Sequence, residues 1–130
     1  MSEAIPERGE HDLVLAGINY RLRPSHAAIR TIEKKTERSL LELIQLASRG
    51  ALTFDQLGVV AAELIRAGAT NELDKRVDPE RIAELIFEGG VGPALARVQL
   101  ALIDAATGGR TSTGEAKAAP AMMGGDAGAA

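Results

Sequence analysis

The chain has 130 residues, of which 45% are hydrophobic and 2% aromatic, and its net charge is −3 from 15 basic and 18 acidic residues. This length predicts one small domain. The three aromatic residues, Tyr20, Phe54 and Phe87, are too few for a base-stacking surface, and the balanced charge creates no strong phosphate-binding field. We therefore expect an aliphatic core and no nucleic-acid partner.

Composition also bears on the compartment. The absence of Cys excludes disulfides, thiolate zinc sites and a Cys nucleophile. No apolar run approaches the roughly 20 residues that span a bilayer. The charged N-terminal segment lacks the apolar centre of a secretory signal. We therefore expect a soluble, cytoplasmic protein with no membrane association.

The N-terminal region predicts a flexible polar arm followed by a β-hairpin. Residues 1–10 contain Pro, Gly and several charged side chains that solvate the arm. Apolar and polar residues then alternate over 12–16 and again over 18–23, which is typical of two strands with one buried face. We place the turn near Gly17–Asn19, and Pro24 ends the second strand.

Five short amphipathic helices are predicted after the hairpin, which makes the fold class α+β and predominantly α. Apolar residues recur at helical spacing over about 26–35, 40–49, 54–67, 79–88 and 93–107. The helix-start signals are N-caps at Ser25, Ser39, Thr53 and Asp78, with capping boxes at Ser39–Glu42 and Thr53–Gln56. The helix-stop signals are Gly50, Gly68 and Gly89-Gly90. The expected inward positions are Ala28, Ile29, Ile32, Leu40, Leu43, Ile44, Ala47, Leu57, Val60, Ala61, Leu64, Ile65, Ile82, Leu85 and Ile86.

The last helix has more apolar surface than the others. Its strongest stripe is Leu95, Val98, Leu102 and Ala105, and Leu100 and Ile103 widen it. Such a helix is buried on two sides or docks a partner, and it suggests a homo-oligomer. Beyond it, 13 of the 23 residues in 108–130 are Gly or Ala, which predicts a disordered tail and leaves 11–107 as the domain.

The polar residues form no convincing catalytic or metal site. His11, Asp12 and His26 could be brought together by the hairpin, but two solvent-facing histidines are the favoured interpretation. The carboxylate pairs Glu33–Glu37 and Glu80–Glu84 are interpreted as solvation of outward helix faces. Residues 89–92 follow a helix rather than a strand, so they indicate a helix–helix turn and not a phosphate loop. We expect no enzyme activity, cofactor or metal.

A basic cluster near the start of the chain is open to two interpretations. It is interpreted chiefly as a solvated face, because acidic residues offset its charge, and alternatively as a partner-binding patch. Its members are Arg21, Arg23, Arg30, Lys34 and Lys35, with Glu33 and Glu37 among them.

The N-terminal part of the chain carries a combined motif. Its pieces are Arg8-Gly9-Glu10, Leu13-Val14-Leu15-Ala16-Gly17, Tyr20-Arg21-Leu22-Arg23-Pro24-Ser25, Ala28, Ile32-Glu33 and Ser39-Leu40-Leu41. With the later helices, this pattern over 8–107 resembles a family of small proteins encoded in gene transfer agents and related tailed phages. Members often carry a glycine after the first helix. This chain has Thr36-Glu37-Arg38 there, which predicts that its first helix extends further than in those relatives.

Two functions are implied by the resemblance, tail assembly chaperone and tail tube protein. We favour a chaperone that binds the tape measure protein, hands it over to tail tube subunits and is absent from the mature particle. A tube subunit needs more strands than the two predicted, so a structural tail component (tail tube or tail-completion subunit) is the alternative. An enzyme with an unrecognised site ranks third.

The partner-binding surface is expected on the last helix and on the second strand of the hairpin. Its expected residues are Leu95, Val98, Leu102, Ile103, Tyr20, Arg21 and Arg23.

Overall fold

The computed structural model describes residues 10–108, so residues 1–9 of the predicted arm 1–10 and residues 109–130 of the predicted tail 108–130 lie outside it. An antiparallel hairpin of two strands, β1 (His11–Leu15) and β2 (Ile18–Leu22), comes first. Five helices follow in the described chain: α1 (His26–Thr36), α2 (Leu40–Ser48), α3 (Phe54–Gly68), α4 (Pro79–Gly89) and α5 (Val91–Thr107), with a 3₁₀ turn at Asp74–Arg76. The predicted class, α+β and mostly α, is confirmed. None of the described helices combines the length and the apolar character that a membrane crossing requires.

The hairpin turn ends at Gly17, two residues before the end predicted for it at Asn19. Leu15 pairs with Ile18, so the loop is Ala16-Gly17, with φ of 51° and 77°. Two left-handed residues in a two-residue loop are typical of the type I′ turn, whose twist matches that of the strands. Asn19 belongs to β2, where it pairs with Val14, and not to the turn as predicted.

The core is aliphatic and is built around α3. Helix α3 contacts α1, α4 and β2, while α5 contacts α2 and β1. The inner face of the hairpin is buried, and Arg23 N–H donates to the carbonyl of Leu64 at 3.0 Å, which joins the end of β2 to α3. The large side chains that are almost fully buried are Leu22, Ile32, Leu43, Leu57, Val60, Leu64, Ile65, Ile82, Ile86, Val98 and Leu102. Most of the predicted inward positions are therefore confirmed, with Leu40 and Ile44 partly buried at the edge.

Two glycines of α3 permit close approach by neighbouring elements. A Cβ on Gly58 would lie 2.6 Å from the carbonyl oxygen of Pro79 and 2.8 Å from the Cβ of Ala83. A Cβ on Gly68 would lie 2.5 Å from the carbonyl oxygen of Arg21. Gly68 is thus the last residue of α3 and a contact with β2, rather than a left-handed helix stop.

Side-chain capping defines the helix starts as predicted. Ser25, Ser39, Thr53 and Asp78 each accept a hydrogen bond from a backbone N–H three residues on. The capping box at Thr53 is complete. The capping box predicted at Ser39 is only half formed, because the carboxylate of Glu42 forms an ion pair with Arg38 at 2.6 Å.

A carboxylate of α1 also caps α2. Glu33 accepts a hydrogen bond from the N–H of Leu40 at 2.8 Å. Glu33 is therefore a cap that holds α1 to α2, and not only a solvating residue as predicted.

Helix α1 ends at Thr36, one residue beyond its predicted end. Glu37 is its C-cap with φ of 58°, and its N–H donates to the carbonyl of Glu33. The left-handed conformation stops the helix at a position that favours glycine. That α1 extends further than in the relatives with a glycine at this position stays a prediction.

Helices α4 and α5 are joined by one residue, Gly90, with φ of 93°, which agrees with the predicted helix–helix turn. Helix α5 begins at Val91, two residues before its predicted start. Pro93 lies in its first turn, where a backbone N–H donor would have no acceptor within the helix. The buried residues of α5 are Ala94, Val98, Ala101, Leu102 and Asp104, while Leu95, Leu100, Ile103 and Ala105 are partly buried.

The close approach at Gly58 predicts that Gly58→Ala lowers the free energy of unfolding by about 1–2 kcal/mol, because overpacking outweighs the gain of about 1 kcal/mol in helix propensity. Gly92→Ala is the matched control, since a Cβ there meets nothing within 4 Å. Urea denaturation should show Gly92→Ala unchanged or more stable. A Gly58→Ala protein as stable as the control would contradict the assignment of Gly58 as a close contact.

The left-handed Glu37 predicts that Glu37→Gly raises the free energy of unfolding by about 0.5–1 kcal/mol, because glycine adopts this conformation without a Cβ penalty. Glu37→Ala removes the carboxylate but keeps the Cβ, and should show no such gain. Both variants can be measured by urea denaturation. Equal stabilisation by Gly and Ala would attribute the effect to charge instead.

Candidate functional site

Two of the three aromatic side chains of the sequence lie together on the surface. Phe54 is 43% exposed and Phe87 is 69% exposed. Their ring centroids are 5.6 Å apart at an interplanar angle of 74°, an edge-to-face contact. Leaving two large apolar rings partly exposed forgoes part of the roughly 2 kcal/mol that full burial of each would contribute, so this surface is a candidate functional site.

The packing of α3 against α4 brings these two rings together. Phe54 is the first residue of α3, directly after the N-cap Thr53, and Phe87 lies in the last turn of α4. The helices run antiparallel here, since Phe54 lies opposite Phe87 and, one turn along, Gly58 lies opposite Ala83. The close approach at Gly58 therefore sets the distance between the two phenylalanines.

An open groove of about 390 Å³ surrounds the pair. We call it the aromatic groove; its lining residues are Phe54, Asp55, Glu80, Ala83, Glu84, Phe87 and Glu88. Apolar carbon forms its floor and four carboxylates form its rim, with no basic residue in the lining. Within residues 10–108, Glu84 is the only one of these carboxylates that forms an ion pair, to Arg81 at 3.1 Å.

A second groove, of about 480 Å³, lies between the hairpin and the 71–77 connection. Tyr20 lines it together with Ile18 and Leu73, although Tyr20 itself is only 7% exposed. Burial, and secondly the negative charge of Asp74, raise the pKa of the Tyr20 phenol above its usual value, while Arg81 acts in the opposite direction. Tyr20 is therefore a core residue with one face toward a groove.

The predicted partner-binding residues are divided between core and surface. Val98 and Leu102 are fully buried, because the stripe of α5 that contains them packs onto α2 and the hairpin. With Tyr20 they serve the core and are not available to a partner in the folded domain. Leu95, Ile103 and Arg21 are partly buried, and Arg23 is exposed.

The basic cluster is engaged in ion pairs within the domain. Glu10, assigned to the solvated arm by prediction, is instead buried and lies 3.9 Å from Arg21 and from Arg23. Lys35 pairs with buried Glu63 at 2.7 Å. These residues hold the hairpin and α1 in place, while Arg30 and Lys34 are exposed as the solvated-face interpretation expects.

His11 has a structural partner that sequence reasoning missed. Its Nε2 lies 2.7 Å from Oδ2 of Asp104, whose side chain is fully buried, so the pair joins β1 to α5. The prediction of a solvent-facing His11 is wrong, whereas His26 is exposed. Across residues 10–108, no group of three His, Cys, Asp or Glu side chains is placed to hold a metal ion. The sequence carried one signal for this pair, because Asp104 lies between Ile103 and Ala105 of the apolar stripe of the last helix.

The aromatic groove was also missed. Phe54 and Phe87 are 33 positions apart, and each belongs to a different helix. The i, i+4 spacing of Glu80 and Glu84 predicts an outward, solvated helix face, and the structure places both carboxylates on the rim of the aromatic groove.

The chain matches no protein-family model, and no curated protein or solved structure is significantly similar to it. The resemblance to proteins of gene transfer agents therefore stays a prediction based on the residues that carry it. That resemblance and the geometry of the aromatic groove are the two observations that bear on function.

The burial of Tyr20 predicts a pH effect on stability. The unfolded phenol ionises near pH 10.0 and the folded one at higher pH, so this stabilisation is complete below pH 10.0 and is lost as the pH rises toward the folded pKa. Urea denaturation should show that wild type loses stability relative to Tyr20→Phe as the pH rises from about 8 to about 11. A difference that stays constant over this range would contradict the raised pKa.

Proposed function

We propose that this protein is a non-enzymatic tail assembly chaperone of a phage-like particle, which binds the tape measure protein and releases it to tail tube subunits. The resemblance over residues 8–107 supplies the family, and the aromatic groove supplies a surface suited to the task. The observation that carries the proposal is the exposed pair of Phe54 and Phe87 on a domain whose other apolar side chains mostly form one core.

The physical demands of the role fit an open groove. A tape measure protein is a long, largely helical chain whose apolar stripes would aggregate if they stayed exposed. A helix laid into a groove covers such a stripe, and two phenylalanines supply the anchors that dominate the binding energy in this mode. Because the groove is open to solvent, a bound helix remains accessible to the tube subunits that displace it.

The proposed contact surface differs from the one expected from sequence. The strongest apolar stripe of α5 packs in the core, so Val98 and Leu102 cannot contact a partner. The start of α3 and the end of α4 take over this role, since their aromatic side chains are exposed. Leu95 and Ile103 are at most accessory contacts.

Co-expression with the neighbouring tape measure protein, followed by a pull-down, tests the proposal. Phe87→Ala should reduce capture at least tenfold, because a central aromatic anchor contributes about 2 kcal/mol or more. Its free energy of unfolding should change by less than about 1 kcal/mol, because an exposed side chain contributes little to the fold.

Leu73→Ala is the matched control, since Leu73 is 76% exposed but lies outside the aromatic groove. It should capture the tape measure protein as wild type does. No capture by wild type, or equal capture by Phe87→Ala, would contradict the proposal. Stoichiometric presence of the protein in purified mature tails would instead favour the structural tail component.

A further inference from the structure

We propose that the aromatic groove is selective for one chemical class of partner, an amphipathic helix whose apolar stripe is flanked by Lys or Arg. This inference rests on the proposed function and specifies which segments of a tape measure protein the groove takes. Two features carry it, the apolar floor described above and the arrangement of charge along its rim.

The rim carboxylates of α4 form a row. Glu80, Glu84 and Glu88 are spaced i, i+4 and i+8, so they lie one above another on the same side of the helix. Ala83 and Phe87, also four residues apart, form an apolar row beside them. At 1.5 Å per residue the acidic row is about 12 Å long, which matches two turns of a second helix lying along α4.

The opposite wall of the groove comes from α3. Phe54 contacts Phe87 edge to face, so the two rings lie side by side under a bound helix, and Asp55 adds a fourth carboxylate on the α3 side. A helix that places its apolar stripe on the two rings therefore has carboxylates along both of its edges. Lys and Arg at those edges would complement the field, whereas Glu or Asp would be repelled.

Helix dipoles and an ion pair within the domain explain three of the four carboxylates in the groove. Asp55 and Glu80 lie in the first turns of their helices, where the dipole favours acids, and Glu84 pairs with Arg81. Glu88 has no such explanation. It lies near the C-terminus of α4, where the dipole disfavours an acid, and four residues from Glu84, which it repels.

Elsewhere in the described chain, several carboxylates are paired with nearby cations. Glu42 pairs with Arg38, Glu63 with Lys35, and Glu72 with Lys75. Within residues 10–108, Glu88 has no ion pair. A basic partner in the groove would supply the missing cation, and this gives the uncompensated carboxylate a role.

Two designed helical peptides test the selectivity on the full chain. They share one apolar stripe and differ only in their flanking residues, Lys in one and Glu in the other, and binding is measured by fluorescence anisotropy. We expect the Lys peptide to bind at least about tenfold more tightly, and its affinity to fall as salt is raised. Equal binding of the two peptides would overturn the proposal.

Glu88→Lys locates the effect in the groove. It should weaken binding of the Lys peptide about threefold to fivefold, and it should not lower stability, because a cation at the end of α4 suits the helix dipole. Glu72→Lys makes the same change in net charge at a side chain that is 76% exposed and outside the aromatic groove. The proposal requires that this control changes the affinity by less than about twofold. Equal effects of the two variants would overturn it.

The outcomes separate this inference from the chaperone role. Capture of the tape measure protein that depends on Phe87 but not on Glu88 or salt would keep the chaperone and overturn the charge selectivity. Preference for the Lys peptide without capture of the tape measure protein would keep the selectivity and overturn the chaperone. Phe87-dependent dimerisation in analytical ultracentrifugation, with neither peptide bound, would show that a second copy occupies the groove and would overturn the inference.

Discussion

The close approach of α4 to α3 at Gly58 is the contact on which the rest of the structure depends. Nine of the 15 residues of α3 are buried, so this helix is the element around which the others pack. A glycine where the helices cross lets the Pro79 carbonyl and the Ala83 side chain lie against the α3 backbone. At the other end of α3, Gly68 admits the backbone of β2 in the same way. A core in which Tyr20 is the one buried aromatic side chain of the described residues reaches native density through such short spacings.

The same crossing produces the surface that we associate with function. Once Gly58 fixes the distance between α3 and α4, Phe54 and Phe87 must meet at the open end of the crossing. The domain thus builds its interior mainly from Leu, Ile, Val and Ala, with Tyr20 beside them, and leaves both phenylalanines partly in solvent. This division is the reverse of the usual one, because aromatic side chains normally contribute most to a core. It is the reason that the groove, and not α5, supplies the proposed helix-binding site.

Buried and half-buried charges hold the elements around that crossing. Glu10 lies beside two arginines of the hairpin region, Glu63 binds Lys35, and Asp104 binds His11. The last two contacts join elements that are distant in sequence, whereas Glu10 links the start of the hairpin to its end. The carboxylates of α4 are arranged differently, since they lie in a row on the surface beside an apolar floor. Charged side chains in this protein therefore lie in two settings, in contacts that connect the hairpin and helices and along the aromatic groove.

The sequence by itself determined the elements of this fold, because the signals for them are local. Ser25, Thr53 and Asp78 cap the helices they precede, and the apolar periodicity places most core positions. Such signals do not specify which helix and strand faces pack against one another. The metal-candidate His11 became the partner of Asp104, and the α5 stripe went to the core, through packing between distant segments. Only the tertiary structure brought Phe54 to Phe87, because that contact depends on the distance between two helix axes, which a glycine in the middle of α3 decides.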